Sequence, residues 1–496
     1  MNDRIRSIAF VGMVLLAALI LGTTYWQVWA PSELAAKADN AIQRVAQFKI
    51  DRGDIKAADG TPLALNRVVK VNGQTYYLRH YPTGPLAAAV VGYSTQARSR
   101  AGLERSKNDF LTSSNSDLNT VLTRTLNSLE GKTVRGNSLV LTLDLGAQYV
   151  AQRALAGYCG AVVVLDVKTG KVLVMATAPT YNPNLVENHF DKIANTRAPC
   201  FSAPAPLVNR ATAGLYQPGS TFKIVTAAAA LDSGAFTPDS PFYDPGYCTE
   251  FNKPVYNFGL ESGGPERFGN VTLAEGLQHS INSVYCNIGK KIGALKILQY
   301  AKRFGFYSTP GLETPPEEQA TSGLYDHGKL FDPTHDYQVD PGRLGFGQER
   351  LQVTPLQMAM VTQGIANGGV VMKPYVIEKI TKPGGGVLQT TKPKALGRAI
   401  SPKTAGELNT MMQSVVTGGT GTAAQIPGVA VAGKTGTAET GRDGINQVWF
   451  IAFAPANDPR YAIAVTVEDQ LHKTGGEVAA PIAKTILESL LNQRHP

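Results

Sequence analysis

A serine and a lysine close together in residues 216–225 could carry out nucleophilic catalysis. The Pro-Gly pair before Ser220, and the helical pattern that ends near Gly234, predict a helix with Ser220 at its N-terminus. Lys223 would then lie on the same helix face, where a neutral amine could accept the hydroxyl proton. Burial or a second nearby lysine would lower the pKa of Lys223 as this role requires. Ser-x-x-Lys alone is common, so a solvated surface pair is the alternative.

A second polar pair, Ser280 and Asn282, lies in residues 273–289, whose apolar positions predict a second helix. The serine hydroxyl could relay protons between two lysines. The asparagine offers both a carbonyl and an amide, which could hold a lysine and a substrate amide together. By itself the Ser-Ile-Asn triplet at 280–282 carries little information.

A third polar group follows a predicted strand that begins at Val429, where apolar side chains alternate before the polar residues. The residue types suit recognition of a carboxylate. A lysine supplies positive charge, two hydroxyls bind an anionic terminus, and a glycine lets a substrate backbone approach the strand edge. These residues are Lys434, Thr435, Gly436 and Thr437.

The three segments in this order resemble the active-site motifs of serine β-lactamases and penicillin-binding proteins. Residues 52–55, Arg-Gly-Asp-Ile, and residues 102–104, Gly-Leu-Glu, resemble the N-terminal module of class B penicillin-binding proteins. The chain is most similar to the actinobacterial penicillin-binding protein A type, over nearly its whole length. Ile281 departs from the Ser-Asp-Asn pattern of class A β-lactamases and fits the looser Ser-x-Asn of penicillin-binding proteins.

The resemblance implies a serine-type D,D-transpeptidase that cross-links peptidoglycan stem peptides and is acylated by β-lactams. In that mechanism Ser220 attacks the penultimate D-alanine, Lys223 is the base, and the amides of Ser220 and Thr437 form the oxyanion hole. No cofactor is implied. The catalytic residues would be Ser220, Lys223, Ser280, Asn282 and Lys434, and the substrate-binding residues Thr435, Gly436 and Thr437.

Two other functions are compatible with the same motifs. A D,D-carboxypeptidase or β-lactamase-like hydrolase would transfer the acyl group to water, and the motifs do not distinguish the acceptors. A non-catalytic β-lactam sensor or scaffold would only bind in the same pocket. Class B proteins lack a glycosyltransferase domain, so the resemblance also implies a SEDS-family membrane glycosyltransferase as partner.

Residues 8–29 carry no charge and predict one transmembrane helix. At 1.5 Å per residue they span about 33 Å, enough for a hydrocarbon layer of ~30 Å. Arg4 and Arg6 precede them and predict a cytoplasmic N-terminus, with the catalytic part outside the cell membrane. A cleaved signal peptide is the alternative, but the apolar run is long and no Ala-x-Ala site follows it.

Composition restricts the possible classes of protein. Apolar residues make up 43 % and charged residues 17 %, which excludes a disordered or coiled-coil chain. The net charge of +9 is compatible with an anionic envelope or a membrane surface. No zinc-finger spacing, RNP-like motif or dense basic tract is present, so nucleic-acid binding is not expected. The histidines lack metal-ligand spacing, so no metal site is expected.

The chain divides by pattern into a cytoplasmic tail and anchor at 1–30, an N-terminal pedestal module at 31–138, and a transpeptidase domain at 139–496. Strand patterns at 161–166 and 171–177 predict one hairpin, and those at 447–454 and 460–468 predict another. A helical middle and a closing helix at about 479–492 complete an α+β fold, an antiparallel sheet covered by helices.

The chain has four cysteines, which could pair in any of three ways outside the cytoplasm. We favour Cys248 with Cys286, because this bridge would join a loop to a helix near the predicted cleft. The remaining two are Cys159 and Cys200.

Two other segments resemble catalytic motifs but are not assigned to the site. Lys473 begins a second Lys-Thr-Gly, yet polar residues precede it rather than an inward-facing strand, so we prefer Lys434. Glu407 begins a Glu-Leu-Asn triplet similar to the deacylating motif of class A β-lactamases. It starts a predicted helix and is expected on a solvated face.

Overall fold

A computed structural model describes residues 2–24, 47–114, 134–200, 204–250, 253–257 and 266–492 of the chain. Helix α1 (Asn2–Thr24) covers most of the predicted anchor, whose end at residues 25–29 lies outside the described residues. None of the described helices is both long enough and apolar enough to cross a membrane. The transmembrane anchor therefore stays a prediction.

The other helices are α2 (Ala88–Val91), α3 (Gly102–Ser106), α4 (Asn108–Leu111), α5 (Leu145–Ala154), α6 (Phe190–Ala194), α7 (Arg210–Ala213), α8 (Lys223–Asp232), α9 (Leu273–Gln278), α10 (Asn282–Ile292), α11 (Ala294–Arg303), α12 (Pro341–Gly345), α13 (Pro355–Ala366), α14 (Pro402–Gly418) and α15 (Ala479–Asn492). Polar residues begin several of them. Asp144, Thr354 and Ser401 each accept a hydrogen bond from a backbone N–H three residues on, which caps α5, α13 and α14.

The strands are β1 (Ile55–Lys56), β2 (Pro62–Val71), β3 (Gln74–His80), β4 (Ser138–Leu141), β5 (Gly160–Asp166), β6 (Val172–Ala178), β7 (Pro241–Asp244), β8 (Tyr247–Glu250), β9 (Lys253–Tyr256), β10 (Gly269–Thr272), β11 (Gly323–Asp326), β12 (Lys329–Phe331), β13 (Leu351–Gln352), β14 (Val370–Met372), β15 (Ile377–Thr381), β16 (Val387–Thr390), β17 (Ala395–Arg398), β18 (Ala432–Glu439), β19 (Ile445–Ala454) and β20 (Tyr461–Leu471).

A five-stranded antiparallel sheet, in the order β18-β19-β20-β5-β6, forms the centre of the larger part of the chain. Both predicted hairpins are confirmed, since β5 pairs with β6 and β19 with β20. One face, which includes Phe450 and Val465, packs on α5 and α15. The other, which includes Trp449 and Ile451, packs on α13 and the helices behind it. The predicted α+β fold, an antiparallel sheet covered by helices, is confirmed.

Strand β18 forms one edge of this sheet and carries the Lys-Thr-Gly segment. Lys434 lies opposite Ile451, and Gly436 lies opposite Trp449. Because alternate side chains share a strand face, these residues point toward the central helices. An edge strand leaves backbone groups unpaired, so it can bind an extended substrate.

A second sheet, in the order β16-β15-β4-β1-β2-β3, connects the N-terminal module to the rest of the chain. Strand β4 pairs in parallel with β1 and antiparallel with β15, so this sheet crosses the predicted boundary at residue 138. Within the module, Arg52 and Arg79 each contact the buried Glu104 at 2.7 Å. The Arg-Gly-Asp-Ile and Gly-Leu-Glu segments therefore meet in the core of the module.

Candidate active site

Ser220 lies in a 3-10 turn, Gly219–Phe222, that leads directly into α8. The φ angle of Gly219 is 50°, in the left-handed region that favours glycine. A Cβ atom at Gly219 would lie 2.8 Å from the carbonyl oxygen of Thr437. The turn therefore packs closely on β18, and Ser220 lies beside the Lys-Thr-Gly segment.

Buried polar contacts hold the segment that leads to Ser220. Glu468 Oε1 accepts a hydrogen bond from Arg210 Nε at 2.8 Å and another from the Tyr216 hydroxyl at 2.7 Å. Trp449 Nε1 donates to the carbonyl oxygen of Gln217 at 2.9 Å. Sequence reasoning missed the role of Glu468, because no local spacing connects it with residues about 250 positions earlier.

Lys223 is fully buried, and its side-chain nitrogen contacts residues 280–282. Nζ donates to the carbonyl oxygen of Ser280 at 2.5 Å and to Asn282 Oδ1 at 2.8 Å, and lies 3.3 Å from Ser280 Oγ. It also lies 5.4 Å from the ring centre of Tyr285. Within the described residues, the hydrogen bonds of Lys223 Nζ thus go to this segment and not to Ser220 Oγ.

Lys434, on β18, also contacts Ser280. Its Nζ donates to Ser280 Oγ at 2.8 Å and to the carbonyl oxygen of Thr435 at 3.0 Å. Ser280 Oγ is therefore within hydrogen-bond distance of both lysine nitrogens. A hydroxyl that both accepts and donates can pass a proton between two such amines.

Burial lowers the pKa of both lysines. The pKa of Lys223 lies well below its ordinary value, mainly because of burial and further because of the charge of Lys434. Burial lowers the pKa of Lys434 to about 7. The surroundings therefore favour an uncharged Lys223, the form that can accept a proton.

The apolar pattern at 273–289 does not form one continuous helix. It forms α9 and α10, which are separated at residues 279–281. Ser280 has a φ of 60°, and the N–H of Ile281 donates to the carbonyl oxygen of Gly276 at 2.9 Å, a bond that commonly closes a helix before a left-handed residue. This break frees the Ser280 carbonyl from the helix, so that it accepts the hydrogen bond from Lys223.

Asn282 begins α10, and its amide is held from the β9 side. Its Nδ2 donates to the carbonyl oxygen of Tyr256 at 3.0 Å, while Oδ1 accepts from Lys223. With its orientation set by these two contacts, the side chain can hold the lysine as the sequence predicted.

Asp244 supports this end of α10 and was missed by the sequence analysis. It is buried, and Ser283 Oγ donates to it at 2.6 Å. The Asp-Pro-Gly turn that it begins was a signal, but such turns are common. The other donors to its carboxylate are Asn257 Nδ2 at 2.8 Å, the N–H of Gly246 at 2.9 Å and the N–H of Phe268 at 3.0 Å.

Two disulfides are present, Cys159–Cys200 and Cys248–Cys286. The favoured pairing of Cys248 with Cys286 is confirmed, and it joins β8 to α10 about one helical turn after Asn282. Glu250 lies close enough to both sulfurs to form a metal-ligand cluster. Metal binding requires thiolates, which a disulfide does not supply.

The two threonine hydroxyls of the Lys-Thr-Gly-Thr segment each have a polar partner. Thr435 Oγ1 lies 2.6 Å from Thr420 Oγ1, and the N–H of Gly475 donates to Thr437 Oγ1 at 3.3 Å. A Cβ atom at Gly436 would lie 2.8 Å from the carbonyl oxygen of Pro218, so the turn before Ser220 packs directly on this residue.

The structure thus brings the three motifs to one place. A turn with a serine hydroxyl packs on an edge strand, and two buried lysines share a second serine hydroxyl behind it. The arrangement fits nucleophilic acyl transfer with recognition of a carboxylate. The residues that come together are Ser220, Lys223, Ser280, Asn282, Lys434, Thr435, Gly436 and Thr437.

Residues 160–488 match the penicillin binding protein transpeptidase domain, and residues 52–139 match the penicillin binding protein A dimerisation domain. The chain belongs to the penicillin-binding protein transpeptidase family. With both domains present it is a class B penicillin-binding protein, as the resemblance implied.

Relatives and solved structures agree with this membership over most of the chain. The peptidoglycan D,D-transpeptidase PbpA of Mycolicibacterium smegmatis is 35 % identical over 99 % of this chain and 100 % of its own length. The protein of the same name from Mycobacterium tuberculosis is 33 % identical over 99 % of both chains. The crystal structure of PBPA from M. tuberculosis has a TM-score of 0.77 at 32 % identity and covers 90 % of this chain and 100 % of that chain. Its imipenem acyl-enzyme complex has a TM-score of 0.78 at 30 % identity, with the same coverage.

The lysine of the second Lys-Thr-Gly of this penicillin-binding protein lies on the surface. Lys473 is exposed and forms an ion pair with Glu477 at 3.1 Å. Lys434, by contrast, is fully buried and contacts Ser280. The sequence preference for Lys434 as the site lysine therefore agrees with where the two side chains lie.

Proposed function

We propose that the chain is a membrane-anchored peptidoglycan D,D-transpeptidase that cross-links stem peptides through an acyl-enzyme on Ser220. One observation carries the proposal: Ser280 Oγ is within hydrogen-bond distance of the nitrogens of Lys223 and Lys434, and Lys223 begins the helix that follows the turn of Ser220. A buried lysine of lowered pKa can activate a serine without a histidine. The names of the relatives support the substrate class, and the acyl-enzyme complex of a structural neighbour supports β-lactam acylation.

Acylation would begin with attack of Ser220 Oγ on the carbonyl carbon of the penultimate D-alanine. Lys223 Nζ would take the hydroxyl proton, and the amides of Ser220 and Thr437 would bind the oxyanion. The proton would then pass through Ser280 to the nitrogen of the leaving D-alanine as the C–N bond breaks. An amine of a neighbouring stem peptide would attack the resulting ester, form the cross-link and release Ser220.

Recognition of the terminal carboxylate would come from β18. Lys434 supplies positive charge, and the hydroxyls of Thr435 and Thr437 supply hydrogen-bond donors. Gly436 has no side chain and so lets the turn before Ser220 pack against β18, which would place the nucleophile beside the bound substrate. Asn282 would hold Lys223 with its carbonyl oxygen and face a substrate carbonyl with its amide.

The remaining parts of the proposal concern how the enzyme is arranged in the cell. Residues 8–29 would anchor it in the cell membrane by a single span, and residues 31–138 would form a pedestal for the transpeptidase domain at 139–496. A SEDS-family membrane glycosyltransferase would supply the glycan strands. The uncharged N-terminal stretch and the match to a dimerisation domain support this arrangement.

Labelling with a fluorescent penicillin tests the nucleophile. Full-length Ser220→Ala should lose covalent labelling, and its intact mass should not increase after incubation with benzylpenicillin. Ser233→Ala is the matched control and should label normally, because within the described part of the chain Ser233 Oγ bonds only to carbonyls of its own helix. Labelling of Ser220→Ala at the wild-type rate, in a protein with an unchanged thermal midpoint, would refute the assignment.

A D-alanyl thioester with and without an amine acceptor distinguishes transfer from hydrolysis. A transpeptidase should form more aminolysis product as the amine concentration rises. If the acyl group goes to water whatever the amine concentration, the chain is a D,D-carboxypeptidase or a β-lactamase-like hydrolase. Binding of penicillin without any mass increase would instead indicate a sensor or scaffold.

A further inference from the structure

We infer that Thr420, which lies outside all three motifs, positions the hydroxyl of Thr435 to bind the substrate carboxylate. The inference rests on the proposed function, which assigns the terminal carboxylate to this part of β18. The two hydroxyl oxygens lie 2.6 Å apart. Thr435 is 5 % exposed whereas Thr420 is exposed, so the pair connects a covered strand residue with the solvent-accessible surface.

The turn after α14 is held against the end of α9, which fixes where Thr420 lies. Gln278 Nε2 donates to the carbonyl oxygen of Gly418 at 3.2 Å, and the N–H of Thr420 donates to the carbonyl oxygen of Gln278 at 3.3 Å. A Cβ atom at Gly419 would lie 2.2 Å from that same oxygen, so only glycine fits there. Because Ser280 follows Gln278 by two residues, Thr420 bridges the Ser-x-Asn segment and β18.

Thr437, the second threonine of the Lys-Thr-Gly-Thr segment, shows which direction of a hydroxyl hydrogen bond suits carboxylate binding. Thr437 Oγ1 accepts a hydrogen bond from the N–H of Gly475, a group that can only donate. The hydroxyl proton of Thr437 is therefore free for another acceptor. A carboxylate is an acceptor only, so this direction of the hydroxyl is the one that binds it.

Among the residues that the structure describes, no such fixed donor contacts the Thr435 hydroxyl, and its hydrogen-bond partner is another hydroxyl. If Thr435 donated to Thr420, its lone pairs would face an incoming carboxylate and repel it. If Thr420 donates to Thr435, the Thr435 proton is free and the two hydrogen bonds strengthen each other. We therefore assign to Thr420 the role of donor in a chain that runs from Thr420 to Thr435 to the carboxylate. It is a positioning residue, because it acts through Thr435.

Removal of the Thr420 hydroxyl should weaken recognition of a carboxylate without disturbing the chemistry. The probes are benzoyl-D-alanyl-thioglycolate, which carries a carboxylate, and the same thioester with a carboxamide in its place. For Thr420→Val, kcat/KM for the carboxylate probe should fall about three- to tenfold, the range for one neutral hydrogen bond. The change should appear in KM, and kcat/KM for the carboxamide probe should stay the same.

Two further variants of the full chain separate this role from a structural one. Thr420→Ser keeps the hydroxyl and should restore the ratio of the two kcat/KM values. Thr417→Val removes a hydroxyl from an exposed position on α14 and should leave both values unchanged. An equal loss for both probes in Thr420→Val, or no loss for either, would overturn the inference. A wild-type protein that reacts with neither probe would refute the proposed function and this inference with it.

Discussion

Loss of the charge of Lys434 above about pH 7 should weaken acylation by any β-lactam that carries a carboxylate. Burial lowers the pKa of Lys434 to about 7. The ammonium form is therefore disfavoured by about 5 kcal/mol relative to water, at about 1.4 kcal/mol for each tenfold change in proton affinity. The pKa of Lys223 lies well below its ordinary value, mainly because of burial and further because of the charge of Lys434, so we take Lys223 as the uncharged member of the pair. Near neutral pH, Lys223 is then the neutral base, and Lys434 is the charged group that binds the carboxylate.

The size of the alkaline decline follows from the hydrogen bond that is lost. Above its pKa the charged fraction of Lys434 falls about tenfold per pH unit. A charge-assisted hydrogen bond contributes about 1.5–3 kcal/mol, which corresponds to about 10–100-fold in rate. The second-order rate constant for acylation by benzylpenicillin should therefore fall by about 10–100-fold above neutral pH and then level off. Competition against a fluorescent penicillin across the pH range measures it.

Arginine substitutions test whether Lys434 is the group responsible. Lys434→Arg keeps its charge at high pH, so the alkaline decline should disappear even if the overall rate is lower. Lys473→Arg, at the exposed lysine of the second Lys-Thr-Gly, should keep the wild-type profile. A flat wild-type profile through neutral pH, or an alkaline decline that persists in Lys434→Arg, would refute the reasoning.

Three variants, one of them a double substitution, test the support of the site. Asp244→Asn should lower the free energy of unfolding by about 2–4 kcal/mol, because the new amide would place its N–H donors against the donors that now bond to the carboxylate. Asp332→Asn, at an exposed position, should lower it by at most about 1 kcal/mol. Equal losses in urea unfolding would contradict this prediction. Replacement of both Cys248 and Cys286 by serine should remove about 4 kcal/mol, because the bridge closes a 38-residue separation; an unchanged thermal midpoint would argue against it. Gly219→Ala should slow penicillin labelling by about a hundredfold, because a Cβ there meets the carbonyl of Thr437; normal labelling would exclude that close packing.

The central sheet was predictable because each of its hairpins carries a local signal. Residues 447–454 and 460–468 are apolar runs joined by a Pro-rich turn, and they form β19 and β20. The closing helix α15 was predicted at its observed bounds for the same reason, since its apolar positions repeat at helical spacing. The boundary at residue 138 was harder to see, because β4 pairs both with β1 and with β15, more than 230 residues later.

The break at Ser280 could not be read from the sequence. None of residues 279–281, where the helix breaks, is a glycine or proline, so no local signal marks the end of a helix there. The left-handed conformation of Ser280 has a cost, and it is offset by contacts with Lys223 and Lys434, which come from elsewhere in the chain. Local propensity therefore predicted the wrong element at the very residue that joins the two lysines.

The supporting residues explain why each motif carries so little information by itself. Ser-x-x-Lys by itself is uninformative because most lysines are solvated and charged, whereas Lys223 is buried among groups supplied by the break at Ser280, by α10 and by β18. Asp244 holds the start of α10, and Glu468 holds the segment before Ser220, through contacts that have no fixed sequence spacing. The chemistry of the lysine pair is thus a property of the assembled core, and a substitution that loosens Asp244 should alter the pH dependence of acylation as well as stability. A stability loss with an unchanged pH profile would separate the two.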